Sequence, residues 1–166
     1  MHVLLFALVL MALLIASPAL ADGRLKARLT GYQEVPSLST SARGLAEFKV
    51  KGDTIEYKLT YRGLDSGVLF AHIHFGQRHV NGGVSVFLCS NTPVPITTPE
   101  CPDTGGTVSG VLSAADVIGP AEQAIEPGEF AELVRAINRG ATYANVHSNA
   151  FGAGEIRGQI ERERRH

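Results

Sequence analysis

No apolar run in this chain is long enough to cross a bilayer as a helix. The longest occupies residues 3–15, against the roughly 20 residues a spanning helix needs. There is no marked excess of one charge either. Fifteen Lys/Arg against 16 Asp/Glu leave a net charge of −1, which argues against nucleic acid as the main partner. G-x-S-x-G, a phosphate-cradling glycine loop and H-E-x-x-H are all missing, so the common hydrolase, nucleotide-binding and metalloprotease signatures do not apply. Neither an internal repeat nor a linker divides the chain. Cysteine is nearly absent, with only Cys89 and Cys101.

What is present begins with a targeting segment. The apolar run is followed by Ala16, Ser17 and Pro18, and Ala19 and Ala21 form an A-x-A-like cleavage site. Residues 1–21 therefore read as a signal peptide, although the amino terminus and His2 are its only sources of positive charge. Cleavage leaves residues 22–166 as one domain, secreted or periplasmic and with no membrane attachment. In an oxidising compartment an even pair of cysteines reads as a disulfide. Joining Cys89 to Cys101 closes a turn-rich loop and stabilises the fold by about 3 kcal/mol. The terminal segment 161–166 (ERERRH) reads as a solvated tail.

Alternation of polar and apolar residues dominates the rest. It predicts strands over 24–30, 44–50, 54–61, 68–75, 84–89, 107–112, 142–147 and 155–160, with Lys51-Gly52-Asp53 turning a hairpin. Eight short strands separated by glycine-rich turns suggest an all-β fold, an antiparallel Greek-key β-sandwich. One short helix is expected, opening at Pro127, with Phe130, Leu133, Val134 and Ile137 on one face and Gly140 as its stop. A capping-box turn is expected from Ser113 to Asp116.

Chemistry concentrates in the histidines. In the strand predicted at 68–75, His72 and His74 share a face because strand side chains alternate. Their imidazoles, roughly 6.5–7 Å apart along the strand, can converge on one ion if a neighbouring strand adds a third ligand. His147 lies in a second strand, sharing its polar face with Tyr143 and Asn145, and His79 follows in the turn after His74. Imidazole-rich ligation suits copper, zinc or nickel. The lack of a carboxylate in either motif argues against calcium or magnesium. Each ligand must be neutral, so binding is expected to weaken as pH falls towards the histidine pKa. Glu34, Asp65 and Glu155 are the other candidate acids or bases. Nothing pairs them in sequence, and each reads as a solvated carboxylate.

Four blocks in order carry a family resemblance: 29–36 (LTGYQEVP), 71–76 (AHIHFG), 112–120 (LSAADVIGP) and 143–160, which opens YANVHS and closes GEIRGQI. They resemble the CHRD (chordin-type) domain, which implies an all-β domain outside the cytoplasm. A weaker resemblance is to copper/zinc superoxide dismutase, where an H-x-H strand and a later V-H histidine bind copper. His72, His74 and His147 match those three in order. That resemblance implies a copper ion as cofactor, but the long zinc loop is missing and Arg157 aligns only loosely with the dismutase arginine. The first expectation is therefore a copper-binding domain using His72, His74 and His147, with His79 as a possible fourth ligand. The alternative is a non-enzymatic module that binds a protein partner and keeps structural histidines. Dismutase-like turnover is a weaker third option.

Overall fold

The computed structural model describes residues 24–163; the expected signal peptide and the last three residues lie outside the described residues. Strands β1 (Arg24–Thr30), β2 (Arg43–Lys51) and β3 (Thr54–Arg62) form a meander. They are followed by β4 (Val68–Phe75), β5 (Gly83–Ser90), β6 (Gly106–Leu112), helix α1 (Phe130–Asn138), β7 (Thr142–Ser148), β8 (Ile156–Gln159) and the two-residue β9 (Glu161–Arg162). Alternation in the sequence becomes alternation in burial. On β3, Ile55, Tyr57, Leu59 and Tyr61 face inward while Glu56, Lys58 and Thr60 face water. Each large apolar side chain so buried contributes about 1.5–3 kcal/mol.

The strands pair antiparallel in the order β5-β4-β7-β8-β1-β2-β3-β6, with β9 beside β1. Both ends of this sheet curl towards each other, so β5 and β6 face across a seam with no backbone ladder between them. Side chains bridge the seam. The Tyr57 ring lies over Gly110 of β6, where a Cβ would come within 2.8 Å of it, and its hydroxyl donates to the Leu88 carbonyl of β5 at 2.5 Å. A disulfide joins Cys89 of β5 to Cys101 in the loop before β6, the pairing expected from sequence. Counting across the seam, β3 lies beside β6 and β7 beside β4, which gives overlapping Greek keys in a sandwich-like barrel.

Three local expectations shift. The helix begins at Phe130 and not at Pro127, because Gly128 between them takes φ +87°, outside the helical region. Leu133, Val134 and Ile137 still form its buried face, and Gly140 at φ +67° ends it. The last predicted strand shortens to Ile156–Gln159, and Glu161 and Arg162, expected in a tail, pair with Lys26 and Leu25 of β1. The turn at Ser113 is as expected, with the Asp116 carboxylate accepting from the Ser113 backbone N–H at 2.7 Å.

One strand departs from half-buried alternation. All seven residues of β7 are buried. Its inward face packs in the core through Ala144 and Val146. Its outward face is polar, yet covered, and there the candidate site lies.

Candidate metal centre

Strands β4 and β7 pair so that Phe70 stands opposite His147, His72 opposite Asn145 and His74 opposite Tyr143. Alternation sends Ala71 and Ile73 into the core and leaves these six side chains together on the outer face. In an ordinary antiparallel sandwich that face meets solvent. Here loops cover it. The β4–β5 loop comes over His74, whose Nδ1 lies 2.8 Å from the Gly82 carbonyl. The β7–β8 loop comes over His147, whose Nδ1 lies 3.0 Å from the Gly152 carbonyl.

The ring geometry is that of a ligand set. His72 lies 4.4 Å, centroid to centroid, from both His74 and His147, and the latter two are 6.1 Å apart. One nitrogen from each falls within 4.8 Å of the other two. Such a triangle places every corner within about 2.8 Å of a common centre, so small ring rotations reach the roughly 2.0–2.1 Å of a metal–imidazole bond. Hydrogen bonding also assigns the tautomers. A carbonyl can only accept, so Nδ1 of His74 and of His147 carries the hydrogen and each Nε2 presents a lone pair. Those two Nε2 atoms and His72 Nδ1 are buried without a hydrogen-bond partner. Buried polar atoms are normally satisfied, and an unsatisfied nitrogen on each of three adjacent rings fits an ion held among them.

Electrostatics keep the set neutral. Burial pushes His72 well below the usual histidine range, with His147 and His74 adding to the effect. His74 is lowered to about 4, chiefly by burial, against the raising influence of its Gly82 hydrogen bond. His147 is lowered by burial too. The expected weakening of binding at the ordinary histidine pKa therefore moves to lower pH.

A polar support lies behind the rings. Tyr143 stacks on His74 at 4.6 Å and 7°, and the Arg157 guanidinium sits 3.4 Å from the Tyr143 centroid. Arg157, only 2% exposed, donates to Asn81 Oδ1 and to the Gln77 and Val80 carbonyls. It thereby clamps the β4–β5 loop that carries Gly82. Glu34 accepts from Asn145 Nδ2 at 2.7 Å, and burial raises its pKa to about 7.

Not every residue singled out by sequence comes into the site. His72, His74 and His147 converge; His79 is exposed in the β4–β5 loop at φ +62° and stands outside the cluster. Asp65 is exposed as expected. Glu34 and Glu155, read as solvated carboxylates, are instead buried. Each is satisfied by partners distant in sequence: Glu34 by Asn145, Glu155 by Thr40, Ser148 and the Asp65 backbone N–H. Sequence reasoning also missed Phe70, Phe87 and Tyr143 as walls, and Arg157 as the loop clamp. The available signal was position, since Glu34, Tyr143, Glu155 and Arg157 fall inside the quoted blocks 29–36 and 143–160.

The family model described as the CHRD domain matches residues 25–160, nearly the whole described chain. No curated protein and no solved structure matches the chain.

Proposed function

We propose that this chain, which belongs to the CHRD domain family, is an exported protein that binds one copper ion through His72, His74 and His147. Export to the extracellular space or periplasm, with removal of residues 1–21, accords with the leader-like sequence and the disulfide. The observation that carries the reading is that three buried histidines bring one ligand nitrogen each within 4.8 Å of the others, and that each ring has a buried nitrogen without a hydrogen-bond partner. Histidines kept for structure alone would spend those nitrogens on hydrogen bonds. Copper is favoured among imidazole-seeking ions because His72, His74 and His147 resemble, in order and strand context, the copper-binding histidines of copper/zinc superoxide dismutase. The hydrogen bonds behind the rings fit as well, since each Nδ1–H to carbonyl bond at His74 and His147 orients its ring and raises the basicity of its Nε2. The reading assigns binding, for storage or delivery.

Metal analysis of the protein purified from its native compartment tests this directly. About one equivalent of copper is expected, lost when His72 and His74 are both replaced by alanine. Less than about a tenth of an equivalent, the same in the double variant, would overturn it.

A further inference from the structure

Resting on the copper reading above, we infer that the histidine site is a cuprous site, built to hold Cu(I) in preference to Cu(II). The first argument is charge. Three neutral imidazoles bring no negative charge, and among the described residues no carboxylate or thiolate joins the cluster. The bound ion keeps its full charge in a buried setting. The cost of burying an ion rises with the square of its charge, so Cu(II) is penalised about four times as heavily as Cu(I). A positive charge close by adds to this. Arg157, held on the Tyr143 ring that stacks on His74, is itself positive.

The second argument is coordination number. Cu(II) seeks a tetragonal set of at least four donors, whereas Cu(I), with a filled d shell, is satisfied by three in a plane. Among the described His, Cys, Asp and Glu side chains three meet there and none supplies a fourth. The surroundings of His72 and His147 are aromatic. Phe70 stacks on His72 at 5.0 Å and lies 4.9 Å from His147, while Phe87 meets His72 edge-on at 5.2 Å. These hydrocarbon walls give a water ligand no hydrogen-bond partner, which leaves it costly to hold.

The test compares the two ions on the metal-free, disulfide-bonded protein. Cu(I) is supplied anaerobically from a bathocuproine disulfonate buffer and Cu(II) from a glycine buffer. A dissociation constant about 100-fold lower for Cu(I) is expected, which corresponds to a reduction potential about 120 mV above that of the aqueous couple at 59 mV per tenfold. The X-ray absorption edge of the reduced complex should show three-coordinate Cu(I). A preference below about tenfold, with Cu(II) binding lost in the His72→Ala/His74→Ala variant, overturns the cuprous inference and leaves the copper reading standing. Binding of neither ion removes both. Phe87→Glu, which brings a carboxylate against His72, should cut the preference to below tenfold, while Phe87→Leu should keep it; equal preferences in the two variants would overturn the argument from charge.

Discussion

Replacing Glu34 with glutamine should stabilise this protein at neutral and alkaline pH while leaving it unchanged in acid. Glu34 follows the short turn Gly31–Gln33 and is 6% exposed. Its carboxyl accepts from Asn145 and lies against Gly154, where a Cβ would come within 2.9 Å of Oε1. Burial raises its pKa from 4.5 to about 7, in spite of the lowering influence of Asn145 and Arg157. The folded state therefore holds a proton between pH 4.5 and 7 that the unfolded chain has released. Stability from this group is fully present below pH 4.5 and is lost as pH rises through 7. At about 1.36 kcal/mol per pH unit, the loss is about 3 kcal/mol. Glutamine has the same shape, keeps an oxygen for Asn145 and does not titrate. Urea unfolding of both metal-free chains from pH 4.5 to 8 isolates the effect, because the histidines contribute equally to each. The curves should coincide near pH 4.5 and diverge by about 3 kcal/mol at pH 8, or about 10 °C in melting temperature. A difference that does not change with pH would refute the reasoning.

Two further outcomes can be measured. Copper affinity should fall far less than a thousandfold between pH 7.5 and 5.5, because burial holds all three histidines below their ordinary range; exposed histidines of ordinary pKa would lose about tenfold each, about a thousandfold together, by pH 5.5. Replacing both cysteines with alanine opens a loop whose ends are 12 residues apart and should cost about 3 kcal/mol in denaturant unfolding. A loss under about 1 kcal/mol would mean that the Asn91 hydrogen bonds to Val68 and Cys101 hold the loop unaided.

The strands were legible because their signal is local. Ile55, Tyr57, Leu59 and Tyr61 alternate with polar residues whatever the rest of the chain does, and the pleat turns that alternation into two faces. Glycine conformation was less legible. Gly128 reads as a neutral neighbour of Pro127 until its φ of +87° is known to break the helix start. Carboxylate burial was illegible for a related reason. The residues satisfying Glu34 and Glu155 include Asn145 and Thr40, 111 and 115 positions away, and nothing near either glutamate announces them.

For the site itself, the division is between direction and distance. Sequence alone determined that His72 and His74 share a face, since a period of two fixes this within any strand. It also marked His147 as a strand residue of the same kind. Only tertiary structure decided that β7 pairs with β4 in a register that brings His147 beside His72, that His79 stays in solvent, and that the Gly82 and Gly152 carbonyls fix two of the tautomers. Alternation is a property of the backbone at each residue. Pairing depends on which distant strand the folded core selects, and three ligands become one site only there.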